Sequence, residues 1–155
     1  MEHELKMTSD GRRRIALLFR LWAIVVSVGV ITGCSDGRPE RFPVSGQVLI
    51  DGEPLTVGQV MVAPKGAKAS VGSVDENGRF TLSCHEIGDG VVPGTHPVAV
   101  TAREQLTPTS QRWLAPKRYQ DPKTSGIEVT VDGPKDDWII ELQWEGGKPF
   151  VEQFK

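Results

Sequence analysis

Hydrophobic positions follow two regimes along this 155-residue chain. Over residues 21–31 they are continuous, "LWAIVVSVGVI", with no charge among them. From Val44 onward they alternate with polar positions at the period of two that lines one face of a β-strand. "VSGQVLI" puts Val44, Val48 and Ile50 on one parity, with Gly46 leaving that face open, and stops at "DGEP", where Asp51-Gly52 offers a tight turn. "QVMVAP" sets Val60 and Val62 together and closes at Pro64. "ASVGSV" leads into "DENG", and "RFTLSC" follows with Phe80, Leu82 and Cys84 in phase, so that Cys84 is expected in the core. Asn77-Gly78 accepts the positive φ of a tight turn and predicts a hairpin. "PGTHPVAVTA" aligns His96, Val98, Val100 and Ala102; Pro97 cannot donate to a ladder and predicts an edge strand. "GIEVTV" aligns Ile127, Val129 and Val131, and "DWIIELQW" aligns Trp138, Ile140, Leu142 and Trp144, both tryptophans facing inward. About seven short strands, dense turns and no sustained helical period predict an all-β chain folded as a β-sandwich. Residues 103–125, "REQLTPTSQRWLAPKRYQDPKTS", read as a long irregular loop and the first place to look for function.

The continuous apolar run is something else. As a helix it would span about 16 Å, against a hydrocarbon core of about 30 Å. Extending it back through "IALLF" sets Arg20 near its middle, at a cost of about 3 kcal/mol. Basic residues ("RRR" at 12–14, then Arg20), a short apolar stretch and small residues after it describe a helical signal segment over residues 1–33 better than a membrane span. Its end, Ile31, Thr32, Gly33 and Cys34, resembles the lipobox of bacterial lipoproteins. That resemblance implies a cut before Cys34, a diacylglycerol on its thiol and acylation of the freed amine. Two or three acyl chains hold a protein on a bilayer, whereas one does so marginally. A secretory signal that happens to end in cysteine, or an uncleaved N-terminal anchor, are the alternatives. Under the Asp-dependent sorting rule of such lipoproteins, Ser35 directly after the cysteine favours the outer membrane over retention. With Cys34 lipidated, Cys84 has no partner and a disulfide framework is excluded. Residues 34–43 then read as a tether, its nine residues "SDGRPERFP" reaching about 30 Å when extended. Residues 44–144 form the sandwich and 145–155 a C-terminal tail.

From residue 34 onward 13 Lys and Arg face 17 Asp and Glu, a balance of −4 that excludes nucleic acid as a partner. Chemistry is sparse. Of His3, His85 and His96 the first leaves with the signal, and "CHE" at Cys84, His85 and Glu86 is the one cluster with metal-ligand residue types. Neighbours on a strand point to opposite faces, so these do not converge on one ion. "DENG" lacks the spacing and the distant Glu of a calcium loop, and there is no G-x-S-x-G. No catalytic residue, metal or cofactor is expected. Trp113 and Tyr119, set among Arg112, Lys117 and Arg118, are the candidate binding surface for a sugar ring or a protein; the alternative is that they fold back over an open edge of the sandwich.

Taken in order, "VSGQVLIDGEPL", "VDENGRFTL" and "VPGTHPVAV" resemble the carboxypeptidase regulatory-like, or transthyretin-like, domains. They are most similar to the small lipoproteins of planctomycete-type bacteria that carry this domain, and "PKRYQDPKTSGIEVTV" is similar to a further segment of that group. The likeness covers residues 44–142. It departs at Val74, where Thr is usual, and at His96, where an aromatic is usual. The resemblance implies a transthyretin-like (prealbumin-like) sandwich and a largely non-catalytic role. The hydroxyisourate hydrolases of that fold end in Y-R-G-S, a signature absent from "KPFVEQFK". The leading expectation is therefore a non-enzymatic, lipid-anchored protein of the bacterial cell envelope, on the periplasmic face or the outer membrane, serving an envelope protein or polysaccharide. A carbohydrate-binding module is the alternative, and a small hydrolase comes third.

Overall fold

In the computed structural model, which describes residues 37–154, the alternation starting at Val44 becomes β1 (Val44–Ile50), with Val44 and Val48 fully buried. Ten further strands follow among the described residues: β2 (Glu53–Pro54), β3 (Gly58–Val62), β4 (Ser70–Val74), β5 (Arg79–Thr81), β6 (Gly94–Thr101), β7 (Arg103–Thr107), β8 (Ser110–Trp113), β9 (Ile127–Val131), β10 (Lys135–Leu142) and β11 (Phe150–Gln153). A short 3-10 helix (Lys117–Gln120) lies between β8 and β9. The described residues are thus all-β, with more strands than the seven the alternation suggests.

Three sheets form. β1 pairs in parallel with β10 on one side, while β5 and the short β2 share its other side. β4, β3, β6 and β9 make an antiparallel sheet in that order, and β11, β8 and β7 make a smaller one. The two larger sheets contribute Val44, Val48, Phe80, Ile140 and Leu142 from one, and Val60, Val62, Val98, Val100, Val129 and Val131 from the other, to a shared core that Leu82, just past β5, also fills. Each such side chain is worth about 1.5–3 kcal/mol when removed from water, which makes this sandwich-like layer the main source of stability. Phe80 and Trp138 meet edge to face at its border, 5.7 Å apart. Gly46 is needed where β1 crosses β10: a β-carbon there would sit 1.9 Å from the Trp138 carbonyl oxygen, beside a register shift between Val44 and Gly46.

Several sequence expectations change. β6 is not an edge strand; it lies between β3 and β9. Pro97 is tolerated because β3 ends opposite Val98, and past that end the Ala63 N–H donates to the Pro97 carbonyl, a bond that needs no amide proton from the proline. "DENG" turns as expected, with Gly78 N–H donating to Asp75 O and Asp75 N–H to Arg79 O. The flanking strands do not zip into a hairpin, however: β4 joins one sheet and β5 the other, with a single Val71–Ser83 bridge between them. Residues 103–125 are not an irregular loop, since they hold β7, β8 and the 3-10 helix, and the supposed tail supplies β11. Cys84 lies beyond the end of β5, half-buried and unpaired, rather than in the core. Trp144, likewise past the end of β10, packs edge to face on Phe150 at 6.4 Å.

Strand directions sort the connections to two ends. The start of β1 (after residues 39–43), the link 63–69, the link 82–93 and the turn 132–134 lie at one end, because β1 and β10 start there, β3 and β9 finish there, and β4 and β6 start there. The small sheet β11-β8-β7 follows from the finish of β6 and lies toward the other end. Seven residues of β1 at about 3.3 Å each separate the two ends by about 23 Å.

Candidate functional site

Chain entering the fold is gripped at once. Phe42 exchanges two backbone hydrogen bonds with Val91, 2.8 and 2.9 Å, and the Arg41 side chain beside it is buried. Its Nη1 donates to Ser70 Oγ (3.0 Å) and Gly90 O (3.2 Å), and its Nη2 to Lys68 O (3.3 Å). Ser70, itself fully buried, donates to the same Gly90 carbonyl at 2.6 Å. Arg41 Nε faces Asp89 Oδ2 at 4.0 Å. The Asp89 carboxylate accepts in turn from the backbone N–H groups of Cys84 (2.6 Å) and His85 (3.0 Å). Burial alone would push Asp89 up; the N–H groups of His85, Cys84 and Glu86 and the Arg41 charge together hold it below the ordinary carboxylate value. The corner thus ties three stretches of chain together, and the expected 34–43 tether is shorter than its composition suggests: its second half belongs to the fold, which starts at Pro39.

The opposite end carries the small sheet. Glu152 on β11 accepts from Trp113 Nε1 (2.8 Å) and Gln111 Nε2 (2.9 Å) with one oxygen and from Lys117 Nζ (2.5 Å) with the other. Lys117 also lies 5.0 Å from the Trp113 ring centre and 5.8 Å from that of Phe150, a cation held by two aromatic faces and a carboxylate. Trp113 and Phe150 stack at 6.5 Å. Hydrogen bonds from Lys117 first, then Trp113 and Gln111, hold the Glu152 carboxyl down to about 2. Next to this latch, Arg118 pairs with Glu145 and lies over the Tyr119 ring at 4.6 Å, while the Tyr119 hydroxyl accepts from the Gln143 N–H (3.2 Å). Leu106, Val151 and Phe154 are exposed on or beside the two outer strands of this sheet.

No family model, curated protein or solved structure is detectably similar to this chain. Its own residues must therefore carry the functional reading.

Trp113 is 3% exposed and Tyr119 6%, so both rings are built into the protein and neither is open as a stacking platform. The pattern "QRWLAPKRY" shows two aromatics among cations, but not that β11 covers the first and that the core and the Gln143 backbone take the second. The signal that was there to find is the parity of Phe150, Glu152 and Phe154 in "FVEQF", which marks a strand with an acidic residue between aromatics. Cys34, Ile31, Thr32 and Gly33 lie outside the described residues. Among the described residues no three His, Cys, Asp or Glu side chains gather as metal ligands. His85 is exposed with its backbone on Asp89, and His96 is buried with Nε2 2.9 Å from the Val92 carbonyl. Two shallow depressions, about 370 and 340 Å³, are lined by Ser45, Asp75 and Arg79 and by Gly58, Thr101 and Arg103. In the first, Asp75 Oδ1 is engaged by the N–H groups of Asn77 and Arg79, both at 2.8 Å.

Acid should open the latch. Glu152 has a folded pKa of about 2 against an ordinary 4.5, so its contribution is complete above pH 4.5 and is lost as the pH falls toward 2. Tryptophan emission is expected to shift to the red across that window as β11 leaves Trp113. The Glu152→Gln variant should lack that component; an unchanged acid profile in the variant would show that other carboxylates cause it.

Proposed function

We propose that this chain is a non-enzymatic bacterial lipoprotein of the cell envelope, held on a membrane through Cys34, whose β-sandwich offers its far end to another envelope component. The observation that carries the reading is the order of parts: basic residues, an apolar run too short to span, Ile31-Thr32-Gly33-Cys34, and then a fold that takes hold of the chain at Pro39. From Cys34 to Pro39 the chain reaches at most about 17 Å, so the sandwich rides close to the bilayer, tethered at the end opposite its small sheet. Within the coarser all-β fold, the order of "VSGQVLIDGEPL", "VDENGRFTL" and "VPGTHPVAV" supports the finer reading of a transthyretin-like sandwich. The partner surface consists of the outer strands β7 and β11 with Leu106, Val151 and Phe154, an edge suited to an extended protein segment that adds main-chain hydrogen bonds.

The anchor is tested by expressing the full chain in bacteria supplied with an alkyne fatty acid. Label is expected on the protein and absent from Cys34→Ala, which should leave the membrane fraction; globomycin, which blocks the lipoprotein signal peptidase, should make the uncut form accumulate. Equal labelling of Cys34→Ala would refute the proposal.

A further inference from the structure

The link between β5 and β6 ends in a feature that neither the core nor the latch uses. Ile87 is 100% exposed, the most open large apolar side chain among the described residues. It is not on a loose strand of chain. Gly90 N–H donates to Leu82 O (3.1 Å) and closes the loop at its base; Gly88 N–H donates to Ser83 Oγ (2.9 Å) and Asp89 N–H to Glu86 O (3.2 Å) within it. The Asp89 carboxylate grips the backbone of Cys84 and His85 from inside. A loop this fully bonded holds its tip in place, and here the tip is an isoleucine in water, between Glu86 and Gly88. Arg41 fastens the same loop to the link 63–69, whose Lys65 and Lys68 are exposed.

The loop stands at the end of the sandwich where the chain enters from residue 38, the same end from which the path back to Cys34 is at most about 17 Å. Upstream of that path lies the one long apolar run of the sequence.

We propose that the Ile87 loop is a bilayer contact: Ile87 enters the boundary between headgroups and acyl chains, and Lys65 and Lys68 lie against headgroup phosphates. The inference rests on the membrane anchor at Cys34 proposed above. One isoleucine and two lysines hold no free protein on a lipid surface. On a tethered domain the contact is intramolecular and works at a high effective concentration, so a weak wedge is enough to select one orientation. The domain then stands upright, its small sheet turned away from the membrane.

The test uses the lipidated full-length protein in phosphatidylcholine vesicles with brominated acyl chains. An environment-sensitive dye is placed on Ile87→Cys in a Cys84→Ser background, and at the far end on Leu106→Cys in the same background. Flotation with the vesicles reads the anchor, and dye emission reads the wedge. A blue shift and quenching at position 87 but not at 106 are expected. In the otherwise unaltered chain, Ile87→Asp should remove the protection from deuterium exchange that vesicles give to residues 63–69, while leaving flotation and the fold intact. A protein that floats with no quenching at 87, or with equal quenching at both positions, overturns the wedge and leaves the anchor standing. A protein that does not float overturns both.

Discussion

Replacing Gly90 with alanine is expected to cost about 3–5 kcal/mol, a large part of the stability of a domain this size. Gly90 has φ +79°, a region that alone costs an alanine about 1 kcal/mol. The larger effect is steric. A β-carbon would lie 1.7 Å from the Phe42 carbonyl oxygen and 2.7 Å from Pro43 Cα, both main-chain atoms that no rotamer change can move. Relief requires the strand pair to part, which breaks both Phe42–Val91 hydrogen bonds and draws the Gly90 carbonyl away from Arg41 and the buried Ser70. Urea unfolding would measure the loss. Hydrogen exchange would locate it, the Phe42 and Val91 amides opening well before those of β3 and β6. A loss below about 1 kcal/mol would mean that the corner yields easily and does not fix the start of the fold.

Leu82→Ala should be comparably damaging for a different reason. Leu82 is fully buried and among the largest such side chains, just past β5 where it fills the space between the two larger sheets. Truncation leaves a cavity among side chains that relax only in part, so a loss of about 3–5 kcal/mol is expected. Its backbone bonds, Leu82 N–H to Val44 O and Gly90 N–H to Leu82 O, do not depend on the side chain. The denaturant midpoint should therefore fall without the selective opening at Phe42 that marks Gly90→Ala. Leu106→Ala, on the exposed strand β7, serves as the control and should change stability by less than about 0.5 kcal/mol. The two variants together separate a packing layer from a backbone corner.

The difference between legible and illegible parts follows the same division. Strands of the two larger sheets bury one face, so Val44 and Val48, Val60 and Val62, and Val98 and Val100 announce themselves by alternation. β7 is exposed along its whole length and β11 nearly so; with no buried face there is no period to read, and both looked like loop and tail. Pro97 misled because the rule against proline in central strands concerns the missing donor, and here the neighbouring strand stops just where that donor would be needed. Trp113 was visible as an aromatic among cations, but its exposure depends on Phe150 and Glu152, distant in sequence. Arg41 sits in a stretch rich in Pro, Gly and charge, a composition that describes tethers; its burial comes from three distant acceptors, the Lys68 and Gly90 carbonyls on two links and the Ser70 hydroxyl at the start of β4. Ile87 breaks the polarity of "CHEIGDG", but only the hydrogen bonds that close the loop hold it out in water rather than folded inward.

The parallel pairing of β1 with β10 joins Val44 to Lys135 and Ile50 to Leu142. A ribosome delivers the chain amino end first, so β1 is available long before the strand that completes its sheet. Until residues 135–142 arrive, β1 can hold only β5 and the two-residue β2, too little to close the core. The topology therefore favours late closure of the core, which waits for residues 135–142, whereas the grip at Arg41 and Phe42 has all its partners between Lys68 and Val91 and can form earlier.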